Sequence, residues 1–258
     1  PDMDNENITT SFPEDNPLNT AGRNMASFTD IDGDGDLDLF ASVLGGSGGV
    51  QLAHNIYYYE NISDNHYEYT LVTDDFFNSI DHFSEASPEL VDIDNDGDLD
   101  LFIGNQYDPS SFPFNGRIYY YLNQGTNDTP YFTLVNDQFL GTDLGTDISP
   151  SFGDLDLDGD YDLIIGTYSG DILIYENIGN SMTFNFIYHS TILSDDDFWF
   201  SSPETLDIDG DQDIDIICGD LYGGIRVFKQ ESHFNFIMAS DLFDELNVGY
   251  HSSPHFID

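Results

Sequence analysis

Residues 92–100 read Asp92-Ile93-Asp94-Asn95-Asp96-Gly97-Asp98-Leu99-Asp100, five aspartates on alternate positions of a nine-residue frame. The frame returns three more times. The copies are Asp30-Ile31-Asp32-Gly33-Asp34-Gly35-Asp36-Leu37-Asp38, then Asp154-Leu155-Asp156-Leu157-Asp158-Gly159-Asp160-Tyr161-Asp162, and last Asp207-Ile208-Asp209-Gly210-Asp211-Gln212-Asp213-Ile214-Asp215. Their first aspartates are spaced by 62, 62 and 53 residues, and a further 51 lead to Asp258. A recurrence at this period marks a repeat architecture.

The repeat extends well beyond the aspartates. Each copy is preceded by a short lead-in: Met25-Ala26-Ser27-Phe28, Ser87-Pro88-Glu89-Leu90, Ser149-Pro150-Ser151-Phe152 and Ser202-Pro203-Glu204-Thr205. A fifth lead-in, Ser253-Pro254-His255-Phe256-Ile257, runs up to Asp258. Apolar runs follow the aspartates at 37–44, 99–104, 161–166 and 214–219. Aromatic or branched segments come next at 56–61, 118–123, 172–177 and 225–228, and a fourth set lies at 67–72, 131–135, 184–188 and 234–238. These runs are short, rich in β-branched and aromatic residues, and bounded by Gly, Asn and Asp, which is the signature of strands. No sustained helical period appears. Four strands per unit of 50 to 60 residues is the arithmetic of a propeller blade. The expected fold is all-β, a β-propeller-type array of four-stranded blades joined to cation-binding loops. Units fall at 25–86, 87–148, 149–201 and 202–250, with a partial fifth lead-in at 251–258. Residues 1–24 stand outside the repeat as a linker or inter-subunit joint.

Carboxylates at positions 1, 3, 5 and 9 of a tight loop, with glycine near position 6, suit a hard cation that takes six to eight oxygens in flexible geometry. Five aspartates in nine residues repel one another strongly unless a cation lies among them. Calcium fits better than magnesium, which retains its waters, and the loops hold no His or Cys for a transition metal. An EF-hand opens in the same way but needs a glutamate at position 12, where this chain has Ala41, Ile103, Ile165 and Cys218. Four copies in one register, each ahead of an apolar strand, separate these loops from ordinary acidic turns.

The charge balance limits the partners. Fifty acidic residues face Arg23, Arg117, Arg226 and Lys229, for a net charge of −46. Four calcium ions would leave a strongly acidic surface, so nucleic acid and membrane insertion are not expected. The single cysteine, Cys218, lies in an apolar run and reads as a buried, inert thiol. Three sequons make Asn7, Asn61 and Asn127 candidate glycosylation acceptors. The expected location is secreted or at the cell surface.

With lead-in, acid loop, apolar strand and Tyr-x-Asn strand in place, residues 25–258 resemble the FG-GAP/VCBS repeats of integrin α-subunit propellers and bacterial surface proteins. The resemblance implies calcium held by side chains at positions 1, 3, 5 and 9 and a backbone carbonyl at position 7. Those side chains are Asp30, Asp32, Asp34 and Asp38; Asp92, Asp94, Asp96 and Asp100; Asp154, Asp156, Asp158 and Asp162; and Asp207, Asp209, Asp211 and Asp215. The position 7 aspartates would then point to solvent. Gln212 departs from the pattern, replacing the glycine of Gly35, Gly97 and Gly159.

Such repeats commonly close rings of about seven blades. Four units and a fragment imply a piece of a longer protein, a small ring, or continuation into another chain. In the last case Asp258 followed by a neighbour's Asp2 and Asp4 would rebuild a loop and hold a fifth cation between subunits.

For function, no Ser-centred elbow, zinc motif or phosphate loop is present, and the seven histidines are scattered. The expected role is non-catalytic: a calcium-stabilised protein for adhesion or for interaction with an extracellular protein or glycan. Tyr107, Phe112, Phe114, Tyr168, Trp199 and Tyr222 lie in loop-like segments where rings could stack on sugars, or could pack between blades. The alternatives are a structural subunit that joins further copies of itself head to tail in an extracellular filament, and a carbohydrate-active enzyme or its accessory domain.

Overall fold

A computed structural model describes residues 25–42, 56–62, 68–73, 85–108, 112–126, 129–141, 143–192, 198–239, 243 and 246–255. Among these, sixteen strands form four antiparallel sheets in a β-propeller arrangement, with no helix. The first blade holds β1 (Ala26–Thr29), β2 (Asp38–Ser42), β3 (Ile56–Asn61) and β4 (Tyr69–Thr73). The second holds β5 (Ser87–Val91), β6 (Asp100–Gly104), β7 (Ile118–Asn123) and β8 (Phe132–Asn136). The third holds β9 (Ser149–Gly153), β10 (Asp162–Gly166), β11 (Ile172–Asn177) and β12 (Phe186–Ile192). The fourth holds β13 (Ser202–Leu206), β14 (Asp215–Gly219), β15 (Ile225–Ser232) and β16 (Asn235–Ala239). Strands pair in chain order within each blade.

Burial follows position in the blade. Every residue of β2, β6, β10 and β14 is buried, and their sequences are accordingly near-continuous apolar runs; β6 and β10 have a blade on either face. The outer strands β4, β8, β12 and β16 are largely exposed or half-buried. The core lies between neighbouring blades. Phe102 of the second blade stacks 4.7 Å from Tyr120 in its own sheet and 4.7 Å from Phe152 of the third. The third and fourth blades meet through Leu155, Ile164, Ile174, Ile216 and Cys218. Cys218 is fully buried, and burial pushes its thiol pKa up, consistent with an inert packing group.

The blade spacing explains the glycine that ends β6 and β10. A Cβ on Gly104 would fall 2.1 Å from the carbonyl oxygen of Ile148, and one on Gly166 2.1 Å from that of Ser201. The outer strands begin later than the sequence pattern suggests, at Phe132 and Phe186 rather than Tyr131 and Phe184. The cause is a side-chain cap. Asn123 Oδ1 accepts from Gly125 N and Tyr131 N, and Asn177 Oδ1 from Gly179 N and Asn185 N, so these residues belong to the turn.

The lead-in strands gather on the molecular axis. Ser87 and Ser149 hydroxyls lie 3.0 Å apart, and Ser202 and Ser253 hydroxyls 3.1 Å apart. The fifth lead-in sits between β13 and β1. His255 Nε2 lies 3.2 Å from Phe28 N and 3.1 Å from Phe28 O, and its Nδ1 is 3.6 Å from Glu204. The fifth lead-in therefore touches both the fourth blade and the first.

Candidate metal centres

The first-to-second turn of every blade is one of the acid loops, so all four lie at the same end of the propeller. The loop is a repeated hydrogen-bond device. The position 6 N–H donates to the position 1 carboxylate in all four: Gly35 to Asp30, Gly97 to Asp92 and Gly159 to Asp154 at 3.1 Å, and Gln212 to Asp207 at 3.0 Å. The position 7 N–H donates to the position 5 carboxylate at 3.0–3.1 Å throughout. Position 6 is left-handed in every loop, with φ of +97°, +96° and +94° at the glycines and +79° at Gln212. Glycine takes that conformation freely, and Gln212 does so against a steric cost.

Position 9 clamps each loop to the third strand of its blade. Asp38, Asp100, Asp162 and Asp215 are buried, and each accepts from a backbone N–H there: Asn61 at 2.9 Å, Asn123 at 2.7 Å, Asn177 and Gln230 at 2.8 Å. The other oxygen of Asp162 accepts from Leu155 N at 2.9 Å. Burial, only partly countered by these bonds, raises the pKa of Asp38, Asp100 and Asp162 to about 7.

Three loops bring positions 1, 3 and 5 within 4.8 Å of one another: Asp30, Asp32 and Asp34; Asp92, Asp94 and Asp96; Asp154, Asp156 and Asp158. Each of these loops also contains a buried carboxylate oxygen that no hydrogen-bond donor reaches, on Asp36, Asp94 and Asp160 respectively. Burial and the neighbouring aspartates push Asp36 and Asp160 up to about 6 and raise Asp94 and Asp156 as well. Buried carboxylate oxygens without donors, beside other carboxylates, are a donor set suited to a hard cation. The clusters can hold a metal ion. Between the second and third loops, Asp92, Asp154 and Asp160 line a cavity of about 260 Å³.

The fourth loop differs. Its close-set group is Asp207, Asp209 and Asp215, so position 9 replaces position 5. Lys229 Nζ lies 2.7 Å from Asp209 Oδ2, and this bond and charge hold the Asp209 carboxyl below its usual range.

One sequence expectation is corrected here. Asp36 and Asp160 at position 7 do not point wholly to solvent: Asp160 is buried, Asp36 is half-buried, and each turns an oxygen inward. Asn61, a candidate glycosylation acceptor by sequence, is 2% exposed, and its Oδ1 accepts from Glu68 N at 3.1 Å. Asn7 and Asn127, and the proposed inter-subunit ligands Asp2, Asp4 and Asp258, lie outside the described residues.

The opposite end carries the second-to-third turns and the crossovers between blades, and there the rings flagged by sequence come together. Phe112 is 92% exposed, Phe114 53%, Tyr222 50%, Tyr168 43% and Trp199 38%. Tyr107, half-buried, meets Phe114 at 5.3 Å, and Tyr168 meets Trp199 at 5.7 Å and Phe200 at 4.5 Å. Backbone bonds fasten each turn to the next crossover: Asp147 N to Gln106 O at 2.8 Å, Phe200 N to Tyr168 O at 3.1 Å, His251 N to Leu221 O at 2.9 Å. Glu85, Asp147, Phe200 and His251, each two residues before a lead-in serine, are left-handed, with φ between 53° and 57°. Sequence reasoning missed this row because it has no common residue type. It also missed the clamp partners Asn61, Asn123 and Asn177, although their recurrence at the end of the third strand was a signal.

On the axis, Glu89 and Glu204 come from the third position of their lead-ins, with His255 beside Glu204. Burial and the charge of Glu204 hold the Glu89 carboxyl well above its usual range. The cavity there is about 20 Å³, room for a water and none for a sugar ring.

A family described as FG-GAP-like repeat matches residues 30–103, 92–165 and 154–218. No curated protein matches significantly. Among solved structures, the Photorhabdus luminescens Tc holotoxin pore is similar over 90% of this chain at 18% identity, with a TM-score of 0.43. The likeness covers 10% of that chain.

Proposed function

The chain belongs to the FG-GAP-like repeat family, and on that premise we propose that it is a calcium-stabilised, non-catalytic module for adhesion or recognition outside the cell. Its ligand, a protein or a glycan, docks on the aromatic end of the propeller, while the acid loops at the other end hold calcium. The observation that carries the reading is the exposed ring cluster at that end, Tyr168, Trp199 and Tyr222, on turns tied together through the backbone. Leu221 N donates to Trp199 O at 2.8 Å, so the Trp199 segment is fixed against the turn that carries Tyr222. Rings presented on a fixed backbone cost little entropy to dock and stack well on sugar or peptide faces.

Calcium would be held by Asp30, Asp32 and Asp34, by Asp92, Asp94 and Asp96, and by Asp154, Asp156 and Asp158, in the three loops that carry the unpartnered oxygens of Asp36, Asp94 and Asp160. The ion supplies positive charge that lets these carboxylates remain ionised together. The surrounding chain fixes their positions through the position 6 and position 7 N–H bonds. Among the described residues, Glu89 and Glu204 are one pair of carboxylates off the loops that influence one another, and the cavity between them has no room for a sugar ring.

The test is a glycan array and a cell-surface binding assay in millimolar calcium, run beside a Trp199→Ala/Tyr222→Ala variant. Binding that the variant loses with an unchanged melting temperature is the expected result. No binding, or binding indifferent to both substitutions, overturns the assignment of that end.

A further inference from the structure

The four acid loops are alike in sequence and unlike in their counter-charge. At the fifth residue of the third strand, beside the loop, the first three blades carry Glu60, Leu122 and Glu176, and the fourth carries Lys229. Register fixes the equivalence, since Ile56, Ile118, Ile172 and Ile225 each pair with the last residue of the second strand. The Lys229 ammonium reaches into the fourth loop and lies 2.7 Å from Asp209 Oδ2, the position 3 carboxylate. Three further differences accompany it. Among the described residues, the fourth loop has no buried carboxylate oxygen lacking a donor, whereas each of the other three has one. Its close-set carboxylates are positions 1, 3 and 9 rather than 1, 3 and 5. Asp209 is exposed, where Asp32, Asp94 and Asp156 are half-buried.

We propose that the fourth loop is a self-neutralised site, in which the Lys229 ammonium replaces part of the charge calcium supplies elsewhere and lowers calcium affinity. This inference rests on the calcium reading of the first three loops. The physical cause is direct. A calcium ion entering the fourth loop must break the Lys229–Asp209 pair and then sit near a remaining positive charge. A unit charge a few ångströms from a divalent ion costs about tenfold or more in affinity even in a water-like dielectric. The protein then has three tight sites and one weak site. The weak one fills last as calcium rises, so the fourth blade, beside the fifth lead-in Ser253–His255, is the one whose loop responds to the upper part of the calcium range.

Isothermal titration of calcium into the chelator-stripped full chain tests this. The wild type is expected to show three equivalents of tight binding and a fourth at least about tenfold weaker. Lys229→Met should bring the fourth into the range of the others. Glu176→Lys, which transplants the ammonium beside the third loop, should leave two tight and two weak sites. Four equal sites in the wild type overturn the inference while leaving the calcium reading intact, as does a Lys229→Met chain that retains its weak fourth site. No calcium uptake at any loop overturns both. Lys229 and Glu176 lie outside the buried core, and circular dichroism of each variant confirms the fold before titration.

Discussion

The position 9 clamp makes a prediction whose sign depends on calcium. In Asp162→Asn the side chain keeps its shape and loses its charge. Without calcium, Asp162 is 1% exposed and its pKa is raised to about 7, chiefly by burial. A carboxyl raised in the folded state contributes stability that is complete below its unfolded pKa of 3.8 and is lost as pH rises through about 7. At pH 8 in chelator the ionised form is therefore held at a penalty of about 4 kcal/mol, from roughly three pKa units at 1.36 kcal/mol each. Asparagine escapes that penalty but can accept from only one of Leu155 N and Asn177 N with its single carbonyl, leaving a buried donor at about 1–3 kcal/mol. The balance favours the variant by about 1–3 kcal/mol, a rise of several degrees for a chain this size. In saturating calcium an ion among Asp154, Asp156 and Asp158 offsets the penalty on the charge while the lost bond remains, so the variant should melt below the wild type. Thermal unfolding of both proteins at pH 8, in chelator and in calcium, shows whether the curves cross. A variant less stable by the same amount in both media would refute the reasoning.

Further outcomes follow from the packing and the axis. Gly166→Ala forces a Cβ to within 2.1 Å of Ser201 O, and the shift between third and fourth blades should cost about 3 kcal/mol in urea unfolding; a loss under ~1 kcal/mol would mean the blades are not so closely set. Gln212→Gly relieves a left-handed residue at φ +79° and should stabilise by about 1 kcal/mol, read in the same assay. Glu89, raised by burial and by Glu204, contributes stability that fades as pH rises through its folded pKa. Glu89→Gln should accordingly flatten the fall in melting temperature on the alkaline side, and an unchanged pH profile would contradict that placement.

Much of the architecture was legible because the repeat speaks several times. The all-β class, four strands per blade and the loop at the first turn all followed from period, lead-in and apolar run. The second strands could be bounded because burial on both faces demands unbroken apolar residues, as in Asp162–Gly166. The outer strands could not, since Asn123 and Asn177 caps divert Tyr131 and Asn185 into the turn. In the candidate sites, sequence supplied the carboxylates but not their orientations. Asp36 and Asp160 turn an oxygen inward where the family resemblance pointed them to solvent. The Lys229–Asp209 pair joins residues on different segments of the blade, a proximity that only strand register creates. The same holds for Glu89, Glu204 and His255, which are far apart in the chain and meet because the lead-ins share one axis.

The most direct test of the account is an anomalous difference map from crystals of the full chain grown in millimolar calcium. The account expects a strong peak inside each of the first three loops, among Asp30, Asp32 and Asp34, among Asp92, Asp94 and Asp96, and among Asp154, Asp156 and Asp158. The fourth loop should show a weaker one. Loops with water and no anomalous peak at saturating calcium would contradict it.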